Sequence, residues 1–286
     1  MTSTVQNFGT GICVDVHTHL TDAKFNASTL GDVIAKAKEK GVKAALVVSE
    51  SIADFEPVLR LQRLYPEFVL PCLGVHPIQK TGSVDEKGID LLRSVCWRDY
   101  EGVEALIESS SGTIGGIGEI GLDFSPRFCK TSEEKESQRL IFFRQVKLAQ
   151  SFDLAVNVHS RSAGNHAIKM LKEMDARKVL LHAFDGRASV AMEGASRGFY
   201  FSITASICRD LQIQKMVKLL PLSQLMVETD SPAIAPVKGE LNEPVNVLIS
   251  CEYIAKLKSV DVEHVKQITT ENAVRVFPRL NHLINN

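Results

Sequence analysis

Five of the eight histidines in this chain, His17, His19, His76, His159 and His182, fall at or just past the ends of short β-branched runs. The first two stand in Val14-Asp15-Val16-His17-Thr18-His19-Leu20. Side chains alternate across a strand, so residues two apart point the same way, and His17 and His19 aim together as two ligands of one metal would. An H-x-H pair by itself fits two buried, backbone-bonded histidines as well. The placement of the rest favours metal, because only His166, His264 and His282 fall in helical or tail segments. Two carboxylates end runs of the same kind, Glu119 in GGIGEIGLD and Asp230 in LMVETD. A carboxylate can bridge two divalent ions, as two-metal sites require. Four imidazoles and two carboxylates supply donors for two ions and leave positions open for water and substrate.

Further residues stand near the same run ends. His76, in G-V-H-P, is suited to hold a phosphate oxygen or to protonate a leaving group. Arg161, in H-S-R, can clamp a phosphate through its planar fork. Asp123, in G-L-D-F, can orient a ligand histidine. Glu228 lies two residues before Asp230 and is expected to face the same side, as a supporting acid or a contact to an additional metal. Each also has a structural reading: a loop histidine, a surface ion pair, a buried pair.

The elements that must position these residues are short apolar runs alternating with longer amphipathic stretches, the pattern of parallel strands joined by helical crossovers. Candidate strands are 12–18, 43–49, 68–75, 114–120, 154–159, 178–183, 199–203 and 225–230. Eight strands match a closed α/β barrel, the TIM (β/α)8 fold, whose active sites sit at the C-terminal ends of the strands. Residues 30–40 set Leu30, Val33, Ile34 and Ala37 on one helical face and Lys36, Lys38 and Lys40 largely on the other, a solvated charge run. Residues 135–151 and 244–258 read as helices, 84–110 as helix plus loop, and 261–277 as a helical tail ended by Pro278. No repeat, low-complexity stretch or composition shift marks a linker. The expectation is one domain over 1–286, since such barrels typically need about 250 residues.

Composition narrows the class further. Hydrophobic residues make up 44% and charged residues 23% of the 286, ordinary for a soluble globular chain. A net charge of −1 and a pI near 6.7 argue against a broad basic DNA-binding face, though a metal site can hold phosphate locally. The six cysteines include no C-x-x-C pair, and several sit in apolar runs as small hydrophobes. The first residues, MTSTVQNFGTG, show neither a basic nor an apolar leader region, and no run is long enough to span a bilayer. The chain therefore reads as intracellular, cytoplasmic or nuclear, with no secretion signal and no obligate protein partner.

At the residues above, the sequence resembles the TatD family of metal-dependent deoxyribonucleases, which belongs to the amidohydrolase-like group of barrels. The matching segments are D-V-H-T-H-L with Phe25 following, G-V-H-P, G-E-I-G-L-D-F, V-N-V-H-S-R, L-H-A-F-D-G, E-T-D-S-P, N-E-P and T-E-N-A, in family order from about residue 12 to residue 277. The resemblance implies His17 and His19 on one metal, His159 and His182 on the other, Glu119 bridging, and Asp230 completing the first. It implies two divalent ions, zinc, magnesium or manganese, and a nuclease, often of 3′-to-5′ exonuclease type. Asp185, in H-A-F-D-G, departs from the smaller residue more usual in the family, and the loop S-P-R-F-C-K marks a subgroup.

The expected reaction is phosphodiester hydrolysis. Two metals would clamp the phosphate and lower the pKa of water from about 15.7 toward 7. Asp230 is the candidate general base, with Arg161 and His76 stabilising the developing charge or the leaving oxygen. DNA engaged at a strand end fits the neutral balance, with Arg127, Phe128 and Lys130 the candidates to hold flanking nucleotides. Hydrolysis of an amide, lactone or acyl ester is the alternative on the same barrel, since fold alone does not separate these. A non-catalytic scaffold holding structural metals is a remote third reading.

Overall fold

The computed structural model describes residues 11–285, so the leader reading at residues 1–10 lies outside the described residues. Eight parallel strands form one sheet: β1 (Cys13–Thr18), β2 (Val42–Val48), β3 (Val69–Leu73), β6 (Gly116–Gly121), β7 (Ala155–His159), β8 (Val179–Leu181), β9 (Tyr200–Thr204) and β10 (Leu225–Glu228), neighbouring one another in that order. Every expected strand is present, with no end shifted by more than two residues. The remaining strands, β4 (Ile78–Val84) and β5 (Asp90–Ser94), pair antiparallel as a separate hairpin.

β10 and β1 meet to round off the barrel. The Asp230 N–H donates to the His17 carbonyl at 2.9 Å, and the His19 N–H to the Ser231 carbonyl at 2.7 Å. Below them the buried Asp15 carboxylate takes the Thr229 N–H at 2.9 Å and the Thr229 hydroxyl at 2.5 Å. A side chain thus does the work of a ladder carbonyl, and it does so in the seam that carries His17, His19 and Asp230.

Helices cover the outside: α1 (Ala27–Glu39), α2 (Phe55–Leu64), α3 (Val103–Ser110), α4 (Ser132–Ser151), α5 (Gly164–Glu173), α6 (Ala188–Ser196), α7 (Leu211–Leu219) and α8 (Val247–Lys258). α1 starts where the Asn26 side chain accepts the Ser28 and Thr29 N–H groups. It buries Val33, Ile34 and Ala37, while Lys36 and Lys38 pair at the surface with Glu243 and Glu67. α4 starts in a capping box, Thr131 with Glu134; such a box satisfies two donors that a helix end leaves free. The tail is α9 (Val262–Val276), as expected, plus α10 (Leu280–Asn285), which was not. Val276, Phe277, Leu280 and Ile284 join Val14, Leu46, Leu70, Leu180 and Met226 in one apolar cluster. Phe277 lies against Gly116, the first residue of β6, so the tail plugs the end of the barrel where the strands begin.

One segment differs in kind from the expectation. Residues 84–110 hold the second half of the hairpin, a short turn of helix and then α3, rather than helix plus loop. The hairpin turn is made by Asp85, whose carboxylate accepts the Lys87 and Ile89 N–H groups, and by Gly88 at φ +75°. Most of the hairpin's side chains are exposed, including Val84 and Leu92. Without a buried face it has no alternating apolar pattern to announce it.

Candidate metal centre

The six expected ligands converge at the C-terminal mouth of the barrel. His17 lies near the end of β1 and His19 just beyond it, Glu119 lies in β6, His159 ends β7, His182 follows β8, and Asp230 stands two residues past β10. The ring nitrogens close in pairs. His17 Nε2 is 3.2 Å from His19 Nε2, and His159 Nδ1 is 3.3 Å from His182 Nε2. Glu119 spans the two pairs. Its Oε2 lies 3.6 and 3.5 Å from the His17 and His19 nitrogens, and its Oε1 2.8 and 2.7 Å from those of His159 and His182. Asp230 Oδ1 attends the first pair, 3.2 Å from His19 and 3.6 Å from His17.

Neighbours hold these donors in place. Asn157 Nδ2 donates to the Val16 carbonyl at 2.9 Å, which leaves its Oδ1 to accept from His17 Nδ1, also at 2.9 Å. His17 therefore donates from Nδ1, and Nε2 is the nitrogen it turns to the cluster. Gly118 makes room for this bond, since a Cβ there would stand 2.6 Å from the Asn157 Cβ. Asp123 Oδ2 lies 3.2 Å from His159 Nε2, the orienting role its place in G-L-D-F suggested. α4 reaches in as well. The buried Gln138 side chain bonds both the N–H and the carbonyl of Asp123, and Gln145 does the same for Val75, next to His76. Asn242, in N-E-P, bonds the carbonyls of Thr229 and Ala233 on either side of Asp230.

The electrostatics follow from this crowding. Burial alone would raise the Glu119 carboxyl, but His76, His182 and His17 outweigh it and hold it well below the usual range. His19 loses basicity to burial and regains more from Asp230 and Glu119, ending at about 10. His159 ends at about 9 by the same balance, with Asp123 and Glu119 as its partners. His182 falls to about 3, through burial and the charge of His17. Asp230 is pushed up by burial and pulled further down by His19 and His17, so it is ionised at neutral pH.

The donor set fits divalent cations. Imidazole nitrogens face each other this closely only across a shared proton or a cation, and the carboxylates add negative charge between them. Three overlapping triads bring their ligand atoms within 4.8 Å of one another: His17, His182 and Asp230; His17, His19 and Glu119; His76, Glu119 and His159. These groupings cut across the two nitrogen pairs because the His17 and His182 rings stack at 3.7 Å, so the whole set is one cluster.

The remaining candidates divide. His76 Nδ1 lies 3.0 Å from both the nitrogen and the carbonyl oxygen of Ile78, accepting from the one or donating to the other according to its tautomer, and Nε2 turns into the site, 3.4 Å from Glu119 Oε1. Arg161 lines the cavity over the cluster, which measures about 300 Å³. Glu228 stands as a supporting acid behind a ligand histidine rather than among the six. β10 ends at Glu228, and the alternation expected of a continuous strand stops there, with Asp230 at φ +56°. The Glu228 carboxylate instead takes the Ser202 hydroxyl at 2.6 Å and the Ala183 N–H at 2.7 Å, and lies 3.9 Å behind His182 Nδ1. Phe128 lines the cavity, whereas Arg127, stacked 5.0 Å over its ring, and Lys130 do not. Sequence reasoning passed over Lys24 and Ser160, which line the cavity, and Asn157. Asn157 carried a signal, since it stands two residues before His159 on the same strand face. The buried Ser160 hydroxyl has no hydrogen-bond partner among the described residues.

A parallel barrel with histidines and acids gathered at its C-terminal mouth is the framework of a metal-dependent hydrolase. The family profile described as "TatD related DNase" matches residues 14–278, and the chain belongs to that family, one of metal-dependent hydrolases acting on ester bonds. Among its relatives is Deoxyribonuclease TATDN3 of Homo sapiens, 50% identical over 96% of this chain and 98% of that protein. The uncharacterized metal-dependent hydrolase YcfH of Escherichia coli is 31% identical over 92% of this chain and 95% of its own length. Among solved structures, YJJV, a TatD homolog from Escherichia coli, superposes with a TM-score of 0.79 at 23% identity, covering 93% of this chain and 98% of that one. Among the described residues, no helix is long and apolar enough to cross a membrane.

Proposed function

We propose that this protein is a two-metal deoxyribonuclease that hydrolyses phosphodiester bonds from a DNA strand end, in the 3′-to-5′ sense. The observation that carries the reading is Glu119, with one carboxylate oxygen turned to the His17–His19 pair and the other to the His159–His182 pair. His17, His19 and Asp230 would hold one ion, His159 and His182 the other, and Glu119 both. When bound, such ions supply Lewis acidity at phosphate oxygens and make water acidic near neutral pH.

The chain's own residues do the rest. Asp230 is ionised and stands at the edge of the first pair, placed to accept the proton of the attacking water. Arg161 and Lys24 are the cationic side chains, histidines apart, lining the cavity, and they draw the phosphate into position. His76 presents Nε2 to the same space for the leaving oxygen. Asn157, Asp123 and Glu228 act through the histidines they touch or back. The name of the human relative supports DNA as the substrate class, and the near-neutral charge supports contact confined to a few phosphates.

The deciding experiment is a metal-titrated assay on end-labelled DNA beside a panel of carboxylic esters and lactones. Stepwise shortening of DNA from the 3′ end, with little turnover of the carbonyl substrates, is the expected result. Turnover of a lactone or acyl ester without DNA cleavage would transfer the site to carbonyl chemistry.

A further inference from the structure

A second cavity, of about 370 Å³, adjoins the one over the ligand cluster, and Arg161 and Ala183 line both. Asp185 lines only the second, together with Thr204, Ser206 and Gln212. Its backbone is fixed. Gln212 Nε2 donates to the carbonyls of Asp185 and Gly186, at 2.5 and 3.2 Å, and the neighbouring Phe184 is buried. Gly186 packs so closely on the Phe184 ring that a Cβ there would stand 2.5 Å from it. The Asp185 carboxylate therefore rises from a rigid turn.

The other charges of this cavity are committed. Arg209 donates from Nε to the Pro236 carbonyl and from Nη2 to that of Ala235. Asp210 caps α7 by accepting the Gln212 and Ile213 N–H groups. Arg161 stands at the shared wall, where one guanidinium can serve a phosphate over the cluster. Beyond that wall the Asp185 carboxylate, which accepts the Ser162 N–H and lies in the field of Arg161, keeps acceptor capacity to spare. An ionised carboxylate only accepts hydrogen bonds, and it repels a phosphate brought beside it.

We infer that the Asp185 cavity is the subsite for the terminal nucleotide, in which the Asp185 carboxylate accepts the 3′-hydroxyl and rejects a 3′-phosphate. The inference rests on the strand-end nuclease reading and adds what that reading lacks, a group that recognises the end itself. A nucleotide held by its 5′-phosphate at Arg161 and the cluster would carry its sugar past the shared wall, where Thr204, Ser206 and Gln212 offer further polar contacts.

The test is binding to the zinc- or manganese-loaded protein, followed by calorimetry, of deoxyadenosine 5′-monophosphate against deoxyadenosine 3′,5′-bisphosphate. The wild-type protein should bind the monophosphate at least about tenfold more tightly, the equivalent of about 1.4 kcal/mol. Asp185→Asn keeps an acceptor oxygen and removes the charge, and should shrink the ratio to about threefold or less by tightening the bisphosphate. Equal binding of the two by the wild type, or an unchanged ratio in Asp185→Asn, overturns the inference. Hydrolysis of bis(p-nitrophenyl) phosphate by the wild type separates the two readings, because that diester has no terminal hydroxyl. Turnover of it without nucleotide discrimination leaves the hydrolase and removes the Asp185 subsite. No turnover of any phosphodiester removes the nuclease reading, and the nucleotide titration still decides the role of Asp185.

Discussion

At the scale of single residues, Glu119 and Asp230 share the cluster but not the same duty. Replacing Glu119 by Ala removes the one carboxylate that touches both nitrogen pairs, so hydrolysis should vanish while the circular dichroism melt stays cooperative. Turnover near the wild-type rate would sink the bridging role. Asp230→Asn retains a donor oxygen and loses the proton acceptor. Its turnover should fall about 10²-fold or more, the low end for general acid–base catalysis, with short single-stranded DNA still bound. Full recovery in saturating manganese would make Asp230 a ligand only. The raised basicity of His19 and His159 adds a pH prediction. Both rings are protonated at pH 7 in the metal-free protein, at about 10 and about 9. Metal must displace those protons, so affinity should rise with pH through neutrality and level off only above these values. Zinc competition with a fluorescent chelator at pH 6, 7 and 8 checks the sign, and a flat profile would contradict it.

At the scale of elements, α4 is the strut of the site. Gln138 and Gln145 lie seven residues apart on its buried face and bond backbone on the two segments that carry Asp123 and His76. Gln145→Ala leaves the Val75 N–H and carbonyl without their partner in a dry environment. Each unsatisfied group costs about 1–3 kcal/mol, so the urea midpoint should drop clearly. Turnover should drop with it, since His76 loses its anchor. A variant that melts earlier yet turns over DNA at the full rate would show that α4 supports the fold alone. The hairpin of β4 and β5 is the opposite kind of element: Ile78 and Leu92 reach the cavity edge while most of its surface stays in water.

At the scale of the whole molecule, stability and chemistry sit at opposite ends of the barrel. The tail helices α9 and α10 plug the end where the strands begin, and the ligands gather where they finish. Leu280 is fully buried in that plug. Leu280→Ala should cost about 2–5 kcal/mol, as large-to-small changes in a packed core do. The turnover number of the folded fraction and its metal content should match the wild type, as expected of a site on the far face. Loss of metal from a still-folded Leu280→Ala protein would show the two ends to be coupled.

The barrel and its ligands were legible in the sequence because both obey local periodicities. Buried parallel strands are short β-branched runs whatever surrounds them, and a residue at a run's end reaches the mouth of a barrel. His17 and His19 follow from the two-residue repeat carried one residue past β1, and Glu119, His159, His182 and Asp230 from their places at run ends. Where the chain leaves regular geometry, sequence reasoning fails. Glu228 and Asp230 are two apart, yet β10 stops between them, so that Asp230 attends the His17–His19 pair while Glu228 backs His182. The hairpin buries too little to write a pattern. Tertiary structure alone decided which oxygen of Glu119 faces which histidine pair, that Asn157 sets the His17 proton, that Gln138 and Gln145 brace the mouth, and that Arg161 joins two cavities. These are contacts between residues tens to more than a hundred positions apart, made through side-chain reach and direction, and no local repeat along a single chain encodes them.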